Sequence, residues 1–208
     1  MQGKVFIVGL AGPSGSGKST VARRVASRLG GHVISMETYA VATNHLPFEE
    51  RSKQNYDEPE ATDVVLLESH IRAYGAGKAI ESPLYDFAEH LRVMDRREQV
   101  PAKSLLIVEG ILALHFPQLR PYYDLRIYLG APDGVCFHRR KVRDITERQR
   151  PLELIRWQYE NFVRPAALRY SLPSKVYAQQ ALDGSADLAT VEKNLYDTIL
   201  QRRAVGAG

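Results

Sequence analysis

Residues 5–10 are apolar at nearly every position and rich in β-branched side chains, the pattern of a parallel strand covered by helices on both faces. Runs of the same kind recur at residues 32–35, 105–108 and 125–129. Between them, helical spacing of apolar residues predicts helices over 17–29, 61–74, 132–147 and 151–169, with a last one near 188–202. Strands alternating with helices predict an α/β fold, a doubly wound parallel sheet whose ligands sit at the carboxyl ends of the strands. Two stretches break the rhythm. Residues 79–93 hold short strand-like pieces around Pro83, expected as a hairpin or an irregular flap, and the polar, proline-bearing residues 44–59 read as loop with a short helix. Both lie where an acceptor site can be built. The tail 204–208 offers nothing to pack and is expected to fray.

The chain has 208 residues, 44% of them hydrophobic, which fits one domain over residues 1–203. Within it, a lid at about 136–152 and acceptor-site insertions at about 40–60 and 79–93 are expected. A net charge of +4 suits a polyanionic partner, a nucleic acid or a nucleotide, and does not choose between them. A single cysteine, Cys136, excludes an intramolecular disulfide framework, and no paired Cys/His spacing suggests zinc. A reducing, cytoplasmic setting is the expectation. The apolar run at 5–10 is too short for a signal peptide, and nowhere do about 18 apolar residues follow one another, so no membrane span is expected.

The sharpest chemical signal is Gly12-Pro-Ser-Gly-Ser-Gly-Lys-Ser19, which fills G-x-x-x-x-G-K-[S/T] directly after a strand and before a helix. Glycines in such a loop turn backbone N–H groups inward around phosphates, and the following helix adds its positive end. Gly12, Pro13, Ser14, Gly15, Ser16, Gly17, Lys18, Ser19 and Thr20 are thus the candidate phosphate-binding residues. Lys18 is placed to reach the β- and γ-phosphates and Ser19 to hold Mg²⁺. Glu109, at the tip of the strand 105–108, stands where a second Mg²⁺-organising carboxylate belongs, though an ordinary strand-end carboxylate has the same appearance. With no Asp-x-x-Gly at that strand and no Asn-Lys-x-Asp anywhere, a GTPase switch is disfavoured and a small-molecule kinase gains.

Arg139, Arg140, Lys141, Arg143, Arg148 and Arg150 cluster in one predicted helix and its end. Such a cluster can close over a triphosphate and stabilise charge on the transferring group. The alternative is a solvated helix with internal pairs such as Arg143 with Glu147. RNA binding lacks an aromatic-interleaved basic face.

Together these residues resemble the uridine–cytidine kinase family, and the likeness runs from about residue 5 to 177. Its motifs stand in the family's order: the phosphate loop, Asn55-Tyr-Asp-Glu-Pro59, Pro83-Leu-Tyr-Asp-Phe87 with His90 and Arg92, Val108-Glu-Gly-Ile111, and Arg143-Asp-Ile-Thr-Glu-Arg-Gln-Arg150. Gln158 and Pro173-Ser-Lys175 extend it. The resemblance implies that Asp57 holds ribose hydroxyls with Arg143 and Gln158 near the sugar. It implies that Tyr56, Tyr85 and His90 frame the pyrimidine, with Phe87 and Arg92 in the same pocket, and that Arg140, Arg148 and Arg150 are lid arginines. Taken singly, Tyr85 also reads as core, Asp57 as a helix cap and His90 as a structural histidine. The resemblance further implies ATP or GTP with Mg²⁺, a nucleoside triphosphate and a small acceptor as partners with no nucleic acid, and a homo-oligomer, commonly a tetramer.

Two departures bear on the acceptor. Where the family has an aspartate acting as base in Asp-Ser-Phe-Tyr, this chain has Glu37-Thr-Tyr-Ala40. Glu37 keeps a carboxylate for catalysis and the metal but is one methylene longer, and a misplacement of about 1 Å can cost about 10²-fold in rate. Ala40 replaces a pocket tyrosine and widens the pocket. The lid has Gln149 where the family prefers glycine, which stiffens it. The expected reaction is phosphorylation of a uridine or cytidine 5′-hydroxyl, with Glu37, Lys18, Arg140 and Arg148 catalytic. A kinase of the same fold with another small acceptor, or a nucleotide-binding regulator with little catalysis, are the alternatives.

Overall fold

A computed structural model of the chain describes residues 4–205. Its strands are β1 (Phe6–Ala11), β2 (His32–Ser35), β3 (Ile80–Asp86), β4 (Leu91–Val100), β5 (Leu105–Gly110), β6 (Leu125–Gly130) and β7 (Gln180–Asp183). Its helices are α1 (Lys18–Arg28), α2 (Phe48–Arg51), α3 (Val64–Gly75), α4 (Asp133–Thr146), α5 (Leu152–Gln158), α6 (Arg164–Ala166), α7 (Leu172–Ser174) and α8 (Leu188–Val205). Five strands form one parallel sheet in the order β2-β5-β1-β6-β7, while β3 and β4 pair antiparallel as a separate hairpin. This is the doubly wound α/β sheet that the alternation predicts.

Every residue of β5 and all but the first of β1 are buried, because helices cover both faces. On one face Leu67, Ile71 and Tyr74 of α3 pack on Ile7, Leu106 and Val108. On the other, Val21 and Val25 of α1 and Val191, Leu195 and Ile199 of α8 pack on Val8, Leu10 and Ile107. The outcome for function is that the carboxyl ends of β1, β2 and β5 emerge side by side, with Ser35 and Leu10 flanking Glu109 in register.

Several boundaries differ from expectation. The strand β7 was not expected: it is a four-residue edge with one partly buried apolar residue, too weak a pattern to read. The hairpin runs on to Val100 rather than 93, because the polar residues Arg97–Gln99 are held by pairing with β3 and Val100, opposite Ile80, is buried in the core. The helix α3 begins at Val64 because Asp63 caps it, accepting a hydrogen bond from the Leu66 N–H (3.1 Å). The helix expected over 151–169 continues as a helical run over residues 152–177, with π-helical turns at Tyr159–Val163 and Ala167–Ser171. Each π turn directly precedes a short helical piece containing a proline, Pro165 or Pro173, and the wider turn relieves the clash a proline ring makes with the preceding turn. The last helix extends through Val205, so residues 204–205 are helical rather than frayed; 206–208 lie outside the described residues.

Candidate active site

The phosphate loop leaves β1 and enters α1 through Gly17, whose φ of 97° is left-handed. At Gly15 (φ 86°) a side chain would also strike the Cys136 carbonyl of α4, so the loop packs directly against the first turns of the lid helix. The α1 N-terminus has no side-chain cap and no acid in its first turn. Its free N–H groups and positive dipole end are therefore directed at whatever the loop encloses. Lys18 is buried in the first turn, and the buried Ser16 Oγ has no partner.

Three carboxylates surround Lys18. Glu109, 2% exposed, has its pKa raised by burial and by Glu37, against the Lys18 charge and hydroxyls of Ser35 and Ser19. Glu37 sits on the 3₁₀ turn Met36–Tyr39 that follows β2, and its carboxylate lies 3.0 Å from the Arg148 guanidinium. Burial raises its pKa, but Arg148, Arg143, Lys18 and Arg140 together outweigh burial and bring it to about 2. Asp57 is raised by burial, opposed by Arg140 and reinforced by Glu37. It is not a helix cap: the turn Pro59–Ala61 has no side-chain cap, and the Asp57 N–H donates to Asn55 Oδ1 (3.1 Å).

The arginine cluster expected as a lid gathers around a residue that sequence reasoning passed over. Asp144, in the last turn of α4, is fully buried with Arg140, Arg143, Arg148 and Arg150 around its carboxylate. Arg143 pairs there, at 2.8 Å, rather than with Glu147 as the solvated-helix alternative has it. The other ends of three guanidinium groups reach outward. Arg140 donates to Ser14 Oγ of the phosphate loop (2.9 Å), Arg148 to Glu37, and Arg150 to the Phe87 carbonyl (2.9 Å). Arg148 also lies over the Phe87 ring, 4.4 Å from its centroid. Gln149 takes a left-handed φ of 52°, a conformation that glycine adopts without strain.

Beside this arginine cluster is a cleft of about 820 Å³, open mouth included, whose wall contains Glu37, Ala40, Tyr56, Asp57, Tyr85, Phe87, His90, Arg140, Arg148, Arg150 and Gln158. Tyr56 stacks on His90 at 5.6 Å and 21° and donates to the His90 carbonyl (3.2 Å). Tyr85 meets the edges of Tyr56 and Phe87. Burial, then Arg150, Arg148 and Arg51, push the His90 pKa down to about 4, so this ring is neutral at neutral pH and offers both a donor and an acceptor. Gln158 lines the cleft but its amide is engaged, donating to the Ser52 carbonyl (3.0 Å) and accepting from Arg150 (3.4 Å). Ala40 leaves a methyl in this wall.

Two expected nucleoside residues stand apart. Arg92 is not among the residues that line the cleft; its guanidinium pairs at 3.2 Å with Asp63, the acid that also caps α3. Arg143 is outside the wall, held against Asp144. Conversely Gln54, Thr62 and Phe162 line the cleft without having been singled out; no motif marks them.

A model of the phosphoribulokinase / uridine kinase family matches residues 7–189. The chain belongs to that family. It is 41% identical over 179 residues to the uridine kinase of Shewanella amazonensis, covering 83% of this chain and 84% of the other. It is 40% identical over 180 residues to that of Ligilactobacillus salivarius (85% and 84%), and 40% over 181 residues to that of Clostridium perfringens (86% of each). Among solved structures, a possible uridine kinase from Bacillus stearothermophilus superposes with a TM-score of 0.57 at 20% identity, covering 88% and 91%. The Rhodobacter phosphoribulokinase gives 0.59 at 14%, covering 88% and 73%. These two show the fold. Family membership makes the chain a phosphotransferase that uses a nucleotide and a hydroxyl acceptor. Among the described residues no helix is long and apolar enough to cross a membrane.

Proposed function

We propose that the chain transfers the γ-phosphoryl group of ATP to the 5′-hydroxyl of uridine or cytidine. The observation that carries this reading is the placement of Glu37 and Asp57 on one cleft wall with Tyr56, Tyr85 and His90, beside the Lys18 loop. A carboxylate can accept two hydroxyl hydrogen bonds, aromatic rings stack on a base, and a neutral histidine can bond to its edge. Relatives at about 40% identity that are named uridine kinases support it.

Asp57 would hold the ribose hydroxyls and set the depth of the sugar. Glu37 would accept the hydrogen bond of the 5′-hydroxyl and take its proton as the oxygen–phosphorus bond forms. The bond from the γ-phosphorus to the bridging oxygen breaks with its electron pair leaving on ADP. Lys18, Arg140 and Arg148 would neutralise the charge that spreads over the transferring group, which is most of the task in phosphoryl transfer. The residues present fit Mg²⁺: Ser19 and Glu109 supply oxygen donors, and no cluster of three acidic, histidine or cysteine side chains competes among the described residues. Ser19 and Glu109 would hold the ion, which would supply charge neutralisation to the triphosphate.

The test is ADP release from ATP and Mg²⁺ with uridine, cytidine, a purine nucleoside, a sugar phosphate, a small alcohol or no acceptor, and Lys18→Ala as the blank. Release that needs a pyrimidine nucleoside and vanishes in the variant supports the reading. Release with only another acceptor assigns the pocket widened at Ala40 elsewhere, and ATP binding without acceptor-dependent release favours a regulator. Repeating the panel with GTP identifies the donor, and light scattering tests the homo-tetramer.

A further inference from the structure

We propose that Asp144 is a positioning residue for phosphoryl transfer, one buried carboxylate that sets the spacing of all four lid arginines. The proposal rests on the kinase reading above. Each oxygen of Asp144 serves two guanidinium groups. Oδ1 accepts from Arg143 Nε at 2.9 Å and lies 3.7 Å from Arg148 Nε; Oδ2 lies 3.4 Å from Arg140 Nε and 3.6 Å from Arg150 Nη1. Because Arg140, Arg148 and Arg150 each have one edge on Asp144 and another on Ser14, Glu37 or Phe87, the carboxylate fixes the distance between phosphate loop, candidate base and acceptor wall.

Charge and satisfaction argue that this is more than a fold-stabilising pair. Even with Glu37 paired to Arg148, Asp144 and Glu37 set two negative charges against four positive ones, so the cluster keeps a surplus that a triphosphate can take up. Asp144 Oδ2, Arg140 Nε and Arg150 Nε are buried without a hydrogen bond. A purely structural buried ion cluster is stable only when such atoms are satisfied. Here the Nε groups of Arg140 and Arg150 are gathered at Asp144 without a hydrogen bond, while the bonds of Arg140 to Ser14 and of Arg148 to Glu37 are ones that phosphate oxygens would replace.

Asp144→Asn keeps the shape and removes the charge. With ATP, Mg²⁺ and uridine, kcat is expected to fall by about 30- to 100-fold, since cationic heads displaced by about 1 Å lose about that much. The KM for ATP should stay within about threefold, because Lys18 and the α1 N-terminus are untouched. The deciding readout is a cycle with Arg148→Gln. If Asp144 acts through the arginines, Arg148→Gln costs at least about fivefold less in the Asp144→Asn background than in the wild-type background. A residue that only stabilised the fold would leave that cost equal in both. Nucleotide-binding stoichiometry counts the folded fraction. If the asparagine variant does not fold, the same cycle is run with Asp144→Glu, which keeps the charge and displaces the heads by one methylene. A kcat within threefold of wild type, or multiplying penalties in the cycle, overturns the proposal while wild-type turnover leaves the kinase reading standing. Wild-type protein without nucleoside-dependent release removes the kinase reading and this proposal with it.

Discussion

Replacing Glu37 by glutamine separates the two roles the structure gives this side chain. Its carboxylate lies at the tip of β2, 3.0 Å from Arg148 and within the field of Lys18, Arg143 and Arg140. A general base is worth about 10²–10⁴ in rate. Two observations place this one at the low end. A carboxylate held at about 2 is a weak base, and in a largely dissociative transfer the hydroxyl proton leaves late. The expected loss in kcat is therefore about 10²-fold, about 2.7 kcal/mol of barrier. The same change releases Arg148 from its ion pair, so the KM for ATP should not rise. That pair adds little stability, since the Glu37 side chain is 34% exposed and a partly solvated pair is worth little. The assay is coupled ADP release at saturating ATP and uridine, with Lys18→Ala as the blank. A kcat for Glu37→Gln within threefold of wild type would refute the reasoning, because the hydroxyl would then lose its proton without this carboxylate.

Asp57→Ala removes the only wall carboxylate besides Glu37 among the described residues, so the nucleoside KM should rise about 10- to 100-fold, the worth of one or two hydrogen bonds to a charged group, with the KM for ATP unchanged; equal rises in both would place Asp57 elsewhere. Gln149→Val forces a β-branched residue into a φ of 52° and should cost about 1–2 kcal/mol, several degrees in Tm, whereas Gln149→Gly should leave Tm nearly unchanged. A valine variant as stable as wild type in a thermal melt would mean the lid turn is not held in that conformation. For His90 the folded pKa of about 4 lies below the ordinary 6.5, so between these values the unfolded chain binds more protons and stability falls as pH is lowered. His90→Gln removes this share, and its urea midpoint should decline less steeply than that of wild type from pH 6.5 to 4.

What the sequence makes legible here is what neighbours in the chain determine. The phosphate loop, the strand before it and the helix after it are contiguous, and its glycines answer to backbone angles and to Cys136. That Tyr56, Tyr85 and His90 meet on one cleft wall is legible for another reason: each lies in a short motif, and the hairpin that carries Tyr85 with the turn holding His90 closes back on Tyr56. Asp144 had no such signal. In sequence it is one acid among arginines, and helical spacing offered Glu147 as an equally good partner for Arg143. What distinguishes Asp144 is that the chain turns back after α4, through the left-handed Gln149 and an Arg150 N–H to Asp144 carbonyl bond of 3.0 Å, bringing Arg148 and Arg150 to the carboxylate that Arg140 and Arg143 already face. Arg92 fails in the opposite direction, since its motif was in place but Asp63, reached across 29 positions, took the guanidinium. In both cases the deciding partner is fixed by the fold rather than by spacing along the chain, and charge is the property for which this matters most: an arginine reaches far enough to choose among several carboxylates, and only the packed structure says which one is buried.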